Sequence, residues 1–188
     1  MNLHLIRHTS LDITPDICYG QSDVDVSSNF LIESGALAEK LAYIQFDAVY
    51  ASPLQRCTKL AKTLDLGEIK TDARLKELYF GDWEMQSWNS IPHEVIDSWS
   101  KDYANLPPPN GETFAQLHAR AKSFIDDVSN HSRGKNIAVV THGGVIRAVL
   151  AEALNMQLKD LYRMVIDYAS VTYISFNEAV PRVHFVNR

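Results

Sequence analysis

An arginine and a histidine stand side by side at Arg7-His8, directly after the apolar residues Leu3, Leu5 and Ile6. An apolar run of this kind reads as a buried strand, whose core would accommodate neither residue. A permanent cation beside an imidazole suits an anion held next to a nucleophile or base. Two further segments carry such residues just past an expected strand. Phe46 to Ala51 leads into Ser52-Pro53-Leu54-Gln55-Arg56, and the continuous run Ile137-Ala138-Val139-Val140-Thr141 leads into His142-Gly143-Gly144. Open parallel sheets gather ligands at the carboxyl ends of their strands. Two arginines, two histidines and a glycine-led helix start would form a dense anion site there, with backbone N–H groups past Gly143 donating to the anion's oxygens.

Other chemistries fit less well. Neither Cys18 nor Cys57 has an arginine six positions later, so the cysteine-phosphatase loop is missing. There is no Walker loop, no dinucleotide glycine fingerprint and no nucleophile-elbow serine. His8 and His142 as metal ligands would have Arg7 repelling the dication. Phosphoryl chemistry without a metal or cofactor is the better account.

The elements that must position these groups follow from periodicity. Leu11 to Ser28, rich in Asp, Ser, Pro and Gly, reads as a long loop walling the site. Ser28 or Asn29 caps a helix carrying Leu31, Ile32, Ala36, Leu37, Leu41 and Ala42. Leu54 to Leu66 is a second helix ended by Gly67, with Arg56 in its first turn, and Ile69 to Thr71 is a short edge strand. Residues 85 to 111 hold Trp88, Trp99 and Tyr103 and close on Pro107-Pro108-Pro109-Asn110-Gly111. Glu112 to Val128 is an amphipathic helix, Val145 to Leu154 another, and Val171 to Phe176 pairs with Val183 to Val186 as a terminal antiparallel hairpin. Strands alternating with helices make the fold α/β with a largely parallel sheet. The 188 residues suit one domain over 1–188, with a small cap-like excursion at about 81–111.

A net charge of -5, with 46% hydrophobic and 22% charged residues, argues against a general partner in nucleic acid or anionic membrane. The two cysteines have no metal or disulfide spacing and read as free thiols of a reducing compartment. With no basic leader and no long apolar span, the expectation is a cytoplasmic protein.

Four blocks, in order, resemble the histidine phosphatase superfamily, the phosphoglycerate-mutase-like group: Leu-Ile-Arg7-His8, Ser52 to Arg56, Leu75-Lys76-Glu77 with Phe80-Gly81-Asp82-Trp83-Glu84, and Thr141 to Gly144. Singly, Arg56 reads as a solvated helix charge, Glu77 as a surface carboxylate and His142 as a core histidine; together the blocks favour function. Within that group, Tyr19-Gly20-Gln21, the block 80–84 and Asn110-Gly111-Glu112 are most similar to alpha-ribazole phosphatases of cobalamin assembly. The resemblance implies a three-layer sandwich with helices on both faces of the sheet. It also implies a phosphomonoester substrate hydrolysed through a phosphohistidine, without metal or cofactor. His8 would be the nucleophile and Glu77 the general acid, with Arg7, Arg56 and His142 on the phosphoryl oxygens and Thr9, Ser10, Gln21, Ser52 and Gly143 as further substrate contacts. Thr9 and Ser10 depart from the family's usual glycine and the acidic or amide residue after it. Phosphoglycerate mutase, broad sugar phosphatase and a non-catalytic phospholigand-binding module are the alternatives, and the oligomeric state is left open, a homodimer included.

Overall fold

The computed structural model describes all of residues 1–188. One six-stranded sheet, ordered β3-β2-β4-β1-β5-β6, organises the chain. Its strands are β1 (Asn2–Arg7), β2 (Ala48–Ala51), β3 (Ile69–Thr71), β4 (Asn136–Thr141), β5 (Val171–Ser175) and β6 (Arg182–Phe185). β3, β2, β4 and β1 run parallel, and β5 and β6 add on antiparallel. The principal helices are α1 (Phe30–Leu41), α2 (Gln55–Leu64), α3 (His93–Lys101), α4 (Phe114–Ser129) and α5 (Gly143–Leu154).

The two central strands are buried on both faces, which is why they read as continuous apolar runs. Leu3, Leu5, Ile137 and Val139 meet α4 and α5 through Phe114, Phe124, Val145 and Ile146. Ile6, Ala138 and Val140 face the other way, onto Leu37 and Leu41 of α1 and Leu60 and Leu64 of α2. Each such aliphatic side chain contributes about 1.5–3 kcal/mol by leaving water. The sheet is therefore the middle of three layers, as expected.

The expected element ends move by a residue or two. α4 starts later than Glu112 because Thr113 caps it, its side chain accepting from the Gln116 N–H while the Gln116 side chain accepts from Thr113 in return. α2 ends on Asp65 in the left-handed region (φ 47°), ahead of the expected Gly67, since a short polar side chain also tolerates that conformation. The excursion holds α3 and two single 3-10 turns, Gly81–Trp83 and Trp88–Ser90. It packs on itself through Trp83 and Ile91 with Cys18 of the first loop. A 3-10 stretch at Leu158–Arg163, which hydrophobic periodicity does not signal, follows α5.

Candidate active site

β2, β4 and β1 are neighbours, so their carboxyl ends bring Ser52, His142 and His8 into one row. The ladder continues one step past the strands: the His8 N–H donates to the Thr141 carbonyl (3.0 Å) and the Ser52 N–H to the Val140 carbonyl (2.9 Å). The two imidazoles meet edge to face with centroids 5.1 Å apart, and both are buried.

Partners settle the proton on each ring. A carbonyl can only accept, so His8 donates from Nδ1 to the Thr9 carbonyl (2.8 Å), which leaves the lone pair on Nε2. A guanidinium can only donate, so His142 Nδ1 accepts from Arg56 Nε (3.3 Å) and its Nε2–H donates to Ser52 Oγ (2.8 Å). Burial, then Arg56 and Arg7, hold the His8 pKa well below 6.5, although the Thr9 carbonyl pulls the other way. Burial, then Arg56 and His8, do the same for His142. Both rings are thus neutral at neutral pH.

Arg56 is fully buried and spends one N–H on each of His142, the Ser22 carbonyl and the Gly20 carbonyl. Arg7 donates to the Ile166 carbonyl and lies 3.9 Å over the Tyr168 ring. Its buried Nε has no partner in the chain, and neither has Thr9 Oγ1. Neither arginine pairs with a carboxylate, so no acidic side chain neutralises their charge. An orphaned buried donor costs about 1–3 kcal/mol, which an anionic ligand's oxygen would recover.

Glu77 stands on a stretch without helix or strand. Its carboxylate accepts from the Leu78 N–H (2.8 Å) and from the Gly144 N–H at the start of α5 (3.1 Å). This corrects one expectation. The first free N–H past Gly143 serves the carboxylate, because a Glu oxygen reaches the helix end before any ligand must.

The other expected contacts divide. Ser52 belongs to the histidine row, and Gly143 opens α5 between the guanidinium groups of Arg7 and Arg147. Gln21 turns inward, its side-chain amide donating to the Glu77 carbonyl (3.0 Å). Ser10 departs from expectation: its N–H and hydroxyl bind Glu33, 2.7 and 2.6 Å away, so it braces the loop against α1. Its small hydroxyl finds a charged partner on the facing helix, a long-range contact that spacing does not reveal.

Three residues escaped the sequence reading. Arg147, Tyr162 and Tyr168 line a pocket of about 270 Å³ with Glu77, Tyr19 and Trp88. Arg147 donates from Nε to the Met164 carbonyl (2.9 Å), lies 5.2 Å over Tyr162 and has no carboxylate partner. Its spacing was the available signal, since it sits one helical turn after Gly143 and shares its face. An aromatic cleft of about 510 Å³ adjoins this pocket and shares Phe80, Trp88 and Tyr162 with it. Trp83 is not part of either, being buried in the excursion's own core, and Tyr79 is half-exposed outside both. A larger cleft than the Glu77 pocket, about 490 Å³, holds His4, Lys40 and Tyr173 but none of these groups. No group of three or more His, Cys, Asp or Glu side chains is arranged to hold a metal.

The family model of the histidine phosphatase superfamily (branch 1) matches residues 3–188. The chain belongs to the histidine phosphatase superfamily. Among related histidine phosphatases, the adenosylcobalamin/alpha-ribazole phosphatase of Salmonella typhimurium is 27% identical, over 100% of this chain and 96% of its own. A putative phosphoserine phosphatase 2 of Hydrogenobacter thermophilus is also 27% identical, over 99% of this chain and 95% of its own. The crystal structure of the alpha-ribazole phosphatase from Shigella flexneri superposes with a TM-score of 0.90 at 25% identity, covering 100% of this chain and 96% of that one. The expected α/β fold and superfamily are both borne out, and family and relatives together support a phosphatase. No helix is long and apolar enough to cross a membrane.

Proposed function

We propose that this chain is a metal-independent phosphomonoesterase working through a phosphohistidine at His8. The observation that carries the reading is a neutral His8 with its Nε2 lone pair free, beside arginines that no carboxylate neutralises. The Nε2 pair attacks phosphorus, and the bond to the leaving oxygen breaks toward that oxygen. Glu77 in its acid form supplies the proton that the alcohol needs. The Thr9 carbonyl, already bonded to Nδ1–H, stabilises the positive charge that phosphorylation places on the ring. Arg7 and Arg56 bear on the phosphoryl oxygens, joined by the His142 Nε2–H when it exchanges Ser52 Oγ for one of them, and one lost donor typically costs about 10²–10³ in rate. Water then attacks phosphorus, Glu77 takes its proton, the P–N bond breaks, and neutral His8 returns.

For the substrate, the reading is the 5'-phosphate of alpha-ribazole or a close nucleotide precursor. The aromatic cleft next to the catalytic pocket supports it, since Phe80, Trp88, Trp99 and Tyr162 offer faces to a flat base. Such stacking is worth about 1–3 kcal/mol per base. The residues at 81–111 serve in this reading as a small cap on a single domain. Arg147 favours a second reading: an unpaired cation on the leaving-group side suits a phosphorylated acid such as phosphoserine. Steady-state kinetics on both substrates separates the two. The expected result is the higher kcat/KM for ribazole phosphate, and a higher value for phosphoserine or phosphoglycerate gives the site to the second reading.

A further inference from the structure

Glu77 has a placement problem. Residues 76–80 form no helix and no strand, so no ladder of backbone hydrogen bonds fixes this segment. Buried carbonyls nevertheless require donors. Those of Lys76 and Glu77 are served by one side chain on α4, with the Gln21 amide sharing the Glu77 carbonyl. Arg120 Nη1 donates to the carbonyls of Arg74 (2.7 Å) and Lys76 (2.5 Å), and Nη2 to the carbonyl of Glu77 (2.9 Å). Its remaining two donors go to Glu112, Nε to Oε1 (2.7 Å) and Nη2 to Oε2 (2.8 Å). A guanidinium has five N–H donors, and here all five are used.

Glu112 completes the frame. Its Oε2 also accepts from the Tyr79 N–H (3.3 Å), and its own N–H donates to the Tyr79 carbonyl (2.8 Å). The two backbones touch directly. A Cβ on Gly111 would stand 2.7 Å from the Tyr79 carbonyl oxygen, and one on Gly81 would stand 2.1 Å from that of Pro109. The Asn110-Gly111-Glu112 stretch therefore presses against residues 79–82, and Arg120 grips residues 74–77 from the same side. Both side chains of the pair are mostly buried, at 18% and 16% exposure.

We propose that the Arg120–Glu112 pair is the positioning device for Glu77, holding its carboxylate at the leaving oxygen from beneath the backbone. The inference rests on Glu77 as the general acid. A lysine cannot replace Arg120, because an ammonium has three donors and no planar fork to span two carbonyls and a carboxylate. Losing the clamp lets the segment shift, and a displacement of about 1 Å at a catalytic group costs on the order of 10²-fold in rate.

The test is a double-mutant cycle on the full chain, using Glu77→Gln, Arg120→Ala, the two combined, and Arg120→Lys as the variant that keeps the charge. Each is assayed with an alkyl phosphate, and with an aryl phosphate whose leaving group needs no proton. Near-ultraviolet circular dichroism reports folding, and if Arg120→Ala does not fold, Arg120→Lys takes its place in the cycle. The expected result is that Arg120→Ala and Arg120→Lys each slow the alkyl ester about 10²-fold and the aryl burst far less. In Glu77→Gln the same substitutions should add little, because the group they position is gone. Full multiplicativity in the double variant, with Glu77→Gln itself strongly slowed, overturns the clamp and leaves the acid in place. Unimpaired Glu77→Gln on the alkyl ester removes the acid assignment and the clamp's purpose with it.

Discussion

His8 and His142 each commit one ring nitrogen to a partner whose role is chemically fixed. For His8 the partner is a carbonyl, which frees Nε2 as an electron pair; for His142 it is Arg56, which leaves Nε2 as a donor. Two like residues are thereby set to opposite tasks by one hydrogen bond each. Gly144 is a comparable single-residue device. It lies in the first turn of α5, where alanine would ordinarily favour the helix by about 0.8–1 kcal/mol. A Cβ there, however, would stand 2.1 Å from Glu77 Oε1, so the carboxylate must leave its place. Gly144→Ala is therefore expected to keep its melting temperature while alkyl phosphate turnover falls by about 10² or more, the usual worth of a general acid. Wild-type turnover in a folded Gly144→Ala would show that the carboxylate's seat on α5 does not matter.

At the scale of elements, what could be read in the sequence was whatever is buried by pattern. β1 and β4 announce themselves because both faces are covered, and α4 because one face is: Phe114, Leu117, Ala121, Phe124 and Ile125 all reach the core. The strand ends that carry Arg7, His8, Ser52 and His142 follow once those strands are placed. The segment after α5 could not be read this way. Met164 and Ile166 hold Arg147 and Arg7 by their carbonyls, and Tyr162 and Tyr168 lie under the same two guanidinium groups. A role played by backbone oxygens leaves no mark on residue type, and a 3-10 stretch has no long apolar period. Ser10 and Gln21 show the reverse failure. Their types suit a phosphate, but Glu33 and the Glu77 carbonyl, both distant in sequence, take their donors. The excursion's tryptophans were legible as aromatic, yet only packing separates buried Trp83 from Trp88 at the pocket wall.

Over the whole molecule, burying neutral imidazoles ties stability to pH. His4 is stacked on Tyr173 (4.5 Å), and burial holds its pKa down at about 4; His8 and His142 are also held well below 6.5. Above pH 6.5 all three are largely neutral in folded and unfolded chains alike, so nothing is lost there. Below it the unfolded chain gains protons that the fold refuses, and stability falls, by up to about 1.4 kcal/mol per pH unit for each ring. The share of His4 ends near its folded value of about 4. Urea denaturation between about pH 7 and about pH 5 should show this decline, and His4→Phe should show a shallower one. An identical slope in wild type and variant would mean that His4 takes up protons equally in both states.

The central claim is that His8 itself carries the phosphoryl group. Rapid quenching of the enzyme with a phosphate-labelled ester, followed by peptide mapping under alkaline conditions, measures this directly. The predicted result is an acid-labile, alkali-stable phosphohistidine on the peptide bearing Arg7-His8, absent in His8→Ala, whose turnover is also lost. Label on another residue, or full turnover in His8→Ala, would contradict the account.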